Sequence, residues 1–243
     1  MENEKREITF ERYEKKYMIP PEKYPQLISE IEKHMTLDQY GLHTISSIYY
    51  DTEDFEIIRK YLDKPKFKEK LRVRGYGKPS DETIIFLELK KKISGITYKR
   101  RVPITLRQSR DYLDKQVIPD VENEQIFDEI DWYVKHKHVE KKVVISYDRV
   151  AYFGKEDSNF RLTFDSDIRW RDYHLDLSKG DYGYALNNPG VRLMEVKTIG
   201  TIPLWLCDIL SKMKIYPQSF SKYGTIYSNY LTEKGRGVAS IAG

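Results

Sequence analysis

Basic residues recur at every second position in one segment of this chain after another. In Leu71-Arg72-Val73-Arg74 the two arginines share one face of a strand and the two aliphatic residues share the other. Guanidinium groups contact phosphate oxygens in pairs, and ammonium groups act as point charges, so such a face suits a phosphate polyanion. The same alternation recurs, with a few acids among the bases, in Arg12 to Lys16, Phe86 to Lys90, Tyr98 to Val102, Tyr147 to Val150, Arg161 to Asp165 and Leu193 to Lys197.

Two arrangements of these strands explain the pattern. An antiparallel sheet with one face in water carries polar residues at alternate positions, which accounts for any single strand. The repetition over seven strands, with Arg and Lys in place of Ser, Thr and Gln, favours a closed barrel. In that arrangement helices cover the aliphatic faces from outside, and the charges line the bore.

A bore of this kind would repel itself when empty, because like charges at close range raise the free energy. A bound polyanion would offset that repulsion. Acids are fewer than bases on these faces, and Glu195 and Glu14 are placed to hold a divalent metal that bridges phosphates. The bases predicted to line the bore are Lys16, Arg72, Arg74, Lys90, Lys99, Arg101, Arg149, Arg161 and Lys197.

A further anion site is suggested by the segment from Ser219 to Gly224. Ser221 is placed to cap a helix that begins at Lys222, and free N–H groups at a helix start attract phosphate. An ordinary helix cap explains the same residues.

The order of the elements predicts an α+β protein. Residues 1–232 are expected to form one domain on an eight-stranded antiparallel β-barrel with helices packed outside. Asp51 and Thr52 are predicted to cap the second helix, segment 176–190 to be a loop, and the tail 233–243 to be disordered. Period-two alternation predicts strands at about 7–18, 43–51, 67–76, 83–92, 96–104, 141–153, 159–172 and 191–199, and helices are predicted at 21–35, 53–62, 105–115, 122–138, 203–214 and 221–232.

The composition limits the classes of function and the cellular setting that this chain is expected to have. The 243 residues carry a formal net charge of only +4, which does not by itself indicate binding to nucleic acid or to a membrane. No apolar run approaches about 18 residues, and the N terminus lacks the apolar stretch of a signal peptide. The single cysteine, Cys207, excludes an internal disulfide and predicts a reducing, cytoplasmic setting. Its apolar neighbours predict a buried structural thiol.

Seven short motifs follow one another along the chain: Glu14-Lys15-Lys16-Tyr17, Leu71-Arg72-Val73-Arg74, Glu88-Leu89-Lys90, Lys99-Arg100-Arg101, Tyr147-Asp148-Arg149, Glu195-Val196-Lys197 and Ser221-Lys222-Tyr223. Together they resemble the VTC domain, the catalytic domain of the vacuolar transporter chaperone complex and its bacterial relatives. That domain belongs to the CYTH, or triphosphate tunnel metalloenzyme, superfamily. The resemblance covers about residues 8–232. It implies a triphosphate-binding tunnel and an ATP-dependent polyphosphate polymerase that uses manganese or magnesium.

The resemblance also implies roles for particular residues. Glu195 is implied to hold the metal with Glu14, and Tyr147 and Ser221 to donate hydrogen bonds to phosphate. The superfamily's first strand usually has a glutamate where this chain has Arg12, and the loss of one acid suits a polymerase better than an acid-rich triphosphatase. The implied catalytic residues are Arg72, Arg74, Lys90 and Arg149; those implied to bind substrate are Lys16, Lys99, Arg101, Tyr147, Arg161, Lys197, Ser221 and Lys222.

Three functions remain open at this stage. The first is the polymerase, with ATP and polyphosphate or pyrophosphate as its partners. The second is a tunnel triphosphatase that transfers the phosphoryl group to water. The third is a binding module without activity, for polyphosphate or inositol phosphates. RNA is not expected, because the strand tyrosines alternate with apolar residues as core residues do. A membrane partner for the product would not be encoded in these residues.

Overall fold

The fold is an antiparallel sheet with helices on both faces. The computed structural model describes residues 12–63, 65–93 and 96–232, so the predictions made for residues 7–11 and for the tail 233–243 lie outside it. The strands are β1 (Arg12–Ile19), β2 (Met35–Leu37), β3 (His43–Asp51), β4 (Phe67–Tyr76), β5 (Ile84–Ile93), β6 (Ile96–Thr105), β7 (Glu140–Gly154), β8 (Arg161–Arg171), β9 (Tyr184–Ala185) and β10 (Arg192–Ile199). The helices are α1 (Tyr24–His34), α2 (Glu56–Leu62), α3 (Leu106–Lys115), α4 (Glu124–Lys137), α5 (Leu204–Lys212) and α6 (Lys222–Ile226), with a 3₁₀ turn at Leu177–Lys179 and a π-helical turn at Tyr227–Leu231.

All eight predicted strands are present, and six α-helices lie where helices were predicted within the part of the chain that the structure describes. The short strands β2 and β9 were missed, because two or three residues are too few to show a period. β9 lies in the segment that was predicted to be a loop throughout. The last predicted helix is α-helical only to Ile226 and then widens into the π-helical turn.

The sheet has the strand order β1-β10-β8-β7-β3-β4-β5-β6, and every pairing is antiparallel. The predicted closed barrel is not what the hydrogen bonds show: within the described residues, no ladder joins β1 to β6. The free edge of β1 is instead covered by the segment after α5, where the backbone N–H of Gln218 donates to the carbonyl of Lys16 over 2.7 Å. Side chains nevertheless meet across the gap, because Lys90 Nζ on β5 lies 3.7 Å from a carboxylate oxygen of Glu14 on β1.

Strand register places the charged residues of neighbouring strands on one face. Lys16 pairs with Glu195, Arg72 with Glu88, and Glu88 in turn with Arg101. Since directly paired residues point to the same side of a sheet, the charged positions of the separate strands form one inner surface. The sequence predicted this surface.

Four helices cover the outer, aliphatic face. Leu71, Leu87 and Val102 of the central strands are fully buried under α3 and α4, which contribute Tyr112 and Ile130. At the other end of the sheet, β1, β8 and β10 pack against α1 and α5. The prediction of helices outside the sheet is therefore correct for α1, α3, α4 and α5.

Two helices lie on the inner face, which the prediction placed free of helices. Ile58 of α2 and Tyr223 of α6 pack against Ile45, Ile145 and Leu193, which are inward-facing strand residues. These strand positions are apolar where the rest of the inner face is charged. The two helices therefore fill one part of the inner space and form a wall of what remains.

Buried Asp51 joins these two inner helices. Its carboxylate accepts hydrogen bonds from the backbone N–H groups of Ile57 (2.9 Å) and Ile58 (3.0 Å) at the start of α2, as the cap prediction required. It also accepts from the hydroxyl of Tyr223 on α6 over 2.9 Å. The hydroxyl of Thr52 also caps this helix, as predicted, because it accepts a hydrogen bond from the backbone N–H of Glu56.

Two features that were considered from the composition are the cysteine and the membrane-spanning helices. Cys207 is exposed, so the prediction of a buried thiol is wrong. The reason is the orientation of α5, which turns Leu206 and Leu210 toward the core and leaves the next position in water. None of the helices that the structure describes is long and apolar enough to cross a bilayer.

Candidate functional site

A cavity of about 880 Å³ lies between the inner face of the sheet, α2, α6 and the segment from Pro217 to Ser221. Eleven basic residues and three acidic ones line it. The bases are Lys15, Lys16, Lys68, Lys70, Arg72, Arg74, Lys90, Lys92, Arg149, Lys197 and Lys222, and the acids are Glu14, Glu69 and Glu195.

Most of the residues singled out from the sequence meet at this cavity. Those that line it are Glu14, Lys16, Arg72, Arg74, Lys90, Tyr147, Arg149, Glu195, Lys197, Ser221 and Lys222. Lys99 and Arg101 do not line it and lie next to Glu88 instead. Arg161 also lies elsewhere: its guanidinium is 3.3 Å from Asp38, in the loop after β2.

Glu88 is buried in a group of bases on the inner face. It accepts a hydrogen bond from Arg72 Nε at 2.8 Å, and its other oxygen lies 2.8 Å from Lys99 and 3.4 Å from Arg101. Burial alone would raise the pKa of Glu88, but the nearby charges of Arg72, Arg74 and Lys99 outweigh it and lower the pKa to about 2. The carboxylate stays ionised and orients Arg72 toward the cavity.

Asp165 is a second buried carboxylate that orients bases at the cavity wall, as Glu88 orients Arg72. Its fully buried carboxylate accepts two hydrogen bonds from Arg149, at 2.6 and 2.8 Å, and one from Lys222 at 2.5 Å. Burial would raise the pKa of Asp165, yet the charges of Lys222 and Arg149 lower it. The bidentate contact fixes the plane of the Arg149 guanidinium at the cavity wall.

Glu195 lies among four bases without a close partner of its own. Its oxygens are 3.4 Å from Lys197, 3.5 Å from Lys16, 3.8 Å from Arg149 and 3.9 Å from Lys222. Burial would raise the pKa of Glu195, but these four charges hold it well below its usual range. The contacts are longer than hydrogen bonds, so the carboxylate keeps lone pairs for another cation.

Glu14 and Glu195 fit a divalent metal that is shared with a phosphate ligand. They lie on the same face of the paired strands β1 and β10, and the charge of Glu195 tends to raise the pKa of Glu14. Magnesium is typically held by one or two carboxylates together with phosphate oxygens and water. Among the described residues no group of three or more His, Cys, Asp and Glu side chains could hold a metal by itself.

Arg74 differs from the other arginines because no carboxylate in the described chain lies within 4 Å of it. Its guanidinium donates to the hydroxyl of Tyr147 at 2.9 Å and to that of Ser47 at 3.3 Å. Neutral partners hold the group in place, and its charge is compensated only at a distance, by Glu88. An anion in the cavity would supply compensation at close range.

Lys70 is a cavity residue that the sequence interpretation missed. Its ammonium donates to the hydroxyl of Ser221 at 2.9 Å and lies 3.3 Å from the centre of the Tyr61 ring. Burial and the charges of Lys16, Lys90 and Arg72 hold the pKa of Lys70 well below its usual range. The signal was present, since Lys70 precedes Arg72 and Arg74 in the same alternation.

Ser221 caps α6, as predicted, by accepting from the backbone N–H of Gly224 at 3.1 Å. It also accepts from Lys70, so both acceptor positions of its hydroxyl are used and the hydroxyl hydrogen is left to point into the cavity. Tyr147 lines the cavity, as the implied role of a phosphate donor requires, and Tyr49 lines it as well, although the strand tyrosines outside the site residues were expected to belong to the core. On the inner face of the sheet, each of these tyrosines lies next to a serine or a base of its own strand.

The antiparallel sheet, its inward-facing bases and a few buried acids define a protein with a strongly basic cavity between the sheet and its two inner helices. A family model of the VTC domain matches residues 11–230, and the chain belongs to this family. No curated protein matches the sequence.

Two solved structures share the fold. One is a protein from Bacillus halodurans provisionally assigned as an adenylate cyclase, with 16% identity, a TM-score of 0.54, and coverage of 86% of this chain and 92% of the other. The second is an adenylyl cyclase candidate from Hippeastrum with a dominant triphosphatase activity, with 15% identity, a TM-score of 0.53, and coverage of 92% and 98%. Family membership supports a function in handling triphosphates, and enzymes of the tunnel superfamily generally use divalent metals.

Proposed function

We propose that this chain is a metal-dependent polyphosphate polymerase that transfers the γ-phosphoryl group of ATP to the end of a growing polyphosphate chain. The observation that carries the proposal is the excess of eleven bases over three acids around one cavity. So much fixed positive charge is best compensated by an anion with several phosphates. In this proposal residues 1–232 act as one domain in the cytoplasm.

Phosphoryl transfer requires positioning and charge neutralisation more than covalent catalysis. Arg72 and Arg149 suit this role, because Glu88 and Asp165 fix the orientation of their guanidinium groups. Arg74 and Lys90 add charge from neighbouring strands. We assign these four residues to the transferred phosphoryl group.

The remaining cavity residues would hold the rest of the two substrates. Lys16, Lys197 and Lys222 supply charge around Glu195, and Tyr147 and Ser221 supply hydroxyl donors. A manganese or magnesium ion would be held by Glu195 and Glu14 and would supply positive charge that polarises the γ-phosphoryl group. Lys99, Arg101 and Arg161 lie outside the cavity lining, so we expect them to contribute to the surrounding potential or to contact a longer chain.

We favour transfer to phosphate over transfer to water because of the proton that hydrolysis must remove. Hydrolysis needs a base to take a proton from water, and the neighbouring bases lower the pKa of Glu14 and Glu195, the two acids assigned to the metal, whereas burial raises the pKa of Glu69, the third cavity acid. An ionised acceptor phosphate needs no such base. Hydrolysis is the second candidate, because the Hippeastrum relative has a dominant triphosphatase activity.

The test is to incubate the purified protein with ATP and manganese and to resolve the products on a gel stained for polyphosphate. We expect long chains that disappear on polyphosphatase treatment and that Glu195→Gln does not form. Glu69→Gln, which removes a different cavity carboxylate, is the matched control and should remain active. Free phosphate without chains would identify a triphosphatase, and intact ATP would favour a binding module.

A further inference from the structure

A smaller cavity of about 430 Å³ adjoins the main one. The two share six lining residues, which are Tyr61, Lys68, Lys92, Ser219, Phe220 and Ser221. The side cavity is completed by Leu62 of α2, by Gly224 and Thr225 of α6, and by Ser228 and Asn229 of the π-helical turn. Gly224 allows the two helices to approach, because a β-carbon there would lie 3.1 Å from Leu62.

The lining of the side cavity suits an anion that carries no metal. Two lysines and six hydroxyl or amide side chains line it, and none of its described lining residues is a carboxylate. The main cavity, in contrast, contains Glu14 and Glu195, which are suited to a metal-bound ligand. The two cavities therefore differ in the kind of phosphate that each would hold.

Two aromatic residues, Tyr61 and Phe220, line the side cavity, and bases bind by stacking on such faces. The ring of Tyr61 is already covered: the amino group of Lys70 lies 3.3 Å from the ring centre, and that of Lys68 lies 4.8 Å from it. Tyr61 therefore suits an anion site better than a stacking site.

Lys70 and Ser221 lie on the main-cavity wall next to the side cavity. Within the described chain no carboxylate lies within 4 Å of Lys70 Nζ, and Ser221 has its hydroxyl hydrogen available. An anionic group bound here would contact both side chains. It would also lie beside the ligand of the main cavity.

We propose that the side cavity is the acceptor site, which holds the end of an oligophosphate chain and presents its terminal phosphate at Lys70 and Ser221 to the nucleotide in the main cavity. This inference rests on the proposed polymerase function. In the transfer, a terminal oxygen of the ionised acceptor forms a bond to the γ-phosphorus. The bond from that phosphorus to the β–γ bridging oxygen breaks, and its electron pair leaves with ADP. The chain then ends in the new phosphate.

The test adds one negative charge to either cavity. Ser228 lines only the side cavity and Thr97 only the main one, and both are exposed hydroxyl residues. Ser228→Glu and Thr97→Glu therefore form a matched pair. Binding of pyrophosphate is measured by calorimetry to protein already saturated with a non-hydrolysable ATP analogue and one equivalent of manganese. Affinity for the analogue is measured separately.

Ser228→Glu should weaken pyrophosphate binding on the order of tenfold and change the affinity for the analogue much less. Thr97→Glu should show the opposite preference. Equal losses for both ligands in Ser228→Glu, or unchanged pyrophosphate binding, would overturn the proposal. Neither measurement requires turnover. If Ser228→Glu selectively loses pyrophosphate binding but the wild-type protein makes no polyphosphate, the polymerase function is rejected and the oligophosphate site is retained.

Discussion

Lys70 and Ser221 are joined by a hydrogen bond of 2.9 Å that links the middle of β4 to the cap of α6. The two residues are 151 positions apart in the sequence, and neither has a carboxylate partner among the described residues. The bond therefore connects the sheet to the inner helix wall at a place where a buried lysine has no acidic partner within 4 Å among the described residues. This makes the contact sensitive to any anion that enters the cavity.

The first prediction concerns protons taken up on binding. Burial and the charges of Lys16, Lys90, Arg72 and Lys68 lower the pKa of Lys70 in the free protein. A bound phosphate chain supplies negative charge that raises this pKa again, so binding should be accompanied by proton uptake at Lys70. Because the complex then holds more protons, affinity for tripolyphosphate should rise as the pH falls.

Calorimetry in buffers with different enthalpies of ionisation measures this uptake. Lys70→Arg is the control, because arginine stays charged at all relevant pH values. Since the phosphate ligand can itself lose protons on binding, the relevant quantity is the difference between the two proteins. Equal proton uptake by the wild type and by Lys70→Arg would show that Lys70 is already charged in the free protein.

The second prediction concerns the metal. Glu195→Gln should reduce the enhancement of tripolyphosphate binding by manganese on the order of a hundred-fold, the upper end of the loss seen when even an outer-shell partner of a ligand is removed. Without metal, the variant should bind tripolyphosphate at least as tightly as the wild type. The reason is that the four bases around Glu195 lose a competing negative charge.

Glu69→Gln serves as the comparison, because Glu69 also lines the cavity but lies 3.8 Å from Lys91 and away from Glu195's bases. Calorimetric titrations with and without manganese give both affinities. If the metal enhances binding equally in Glu195→Gln and in the wild type, Glu195 is not a metal ligand.

The third prediction concerns stability in acid. The pKa of Glu88 is about 2 in the folded protein against an ordinary value of 4.5. A carboxylate whose pKa is lowered on folding stabilises the protein above its unfolded pKa, and this stabilisation is lost as the pH falls from about 4.5 toward 2. At neutral pH it amounts to about 3 kcal/mol.

Glu88→Gln should therefore lower the free energy of unfolding at pH 7 by about this amount. The difference between variant and wild type should shrink as the pH falls through the same window. Urea unfolding followed at a series of pH values provides the measurement. A constant difference from pH 7 to pH 3 would mean that the loss comes from packing and not from charge.

The sequence predicted the inner surface because it depends on a local pattern. Arg72 and Arg74, or Glu195 and Lys197, are separated by one residue, and a strand must place them on the same face. Lys70 could have been predicted by extending this alternation two residues toward the N terminus of the strand. Asp165 belongs to a segment with the same alternation, although its partners Arg149 and Lys222 could not be identified from spacing.

Features set by distant contacts could not be predicted. Arg161 follows the same alternation, but its side chain pairs with Asp38, which lies 123 positions earlier. The inner helices α2 and α6 are joined by the bond between Asp51 and Tyr223, 172 positions apart. The edge of β1, which no described ladder joins to β6, is covered by Gln218. Local alternation gives no information about any of these three relationships.

The last prediction separates binding from stability in two neighbouring arginines. Arg74 has hydroxyl partners and no carboxylate within 4 Å in the described chain, whereas Arg72 donates to buried Glu88. Arg74→Gln removes one charge from a crowded positive group but also one of the charges that lower the pKa of Glu88, so the free energy of unfolding should change little. Arg72→Gln leaves Glu88 with fewer partners and should cost about 1–2 kcal/mol, because Lys99 and Arg101 remain beside it.

Both variants should lose phosphoryl transfer on the order of a hundred-fold, as expected when one preorganised charged donor is removed from a transition state. Denaturant midpoints and initial rates with ATP and manganese measure the two effects separately. If Arg74→Gln unfolds as easily as Arg72→Gln, Arg74 stabilises the fold and its charge is compensated by the protein. Activity retained in Arg74→Gln, with Arg72→Gln inactive, would restrict the catalytic charge to the arginine that Glu88 orients.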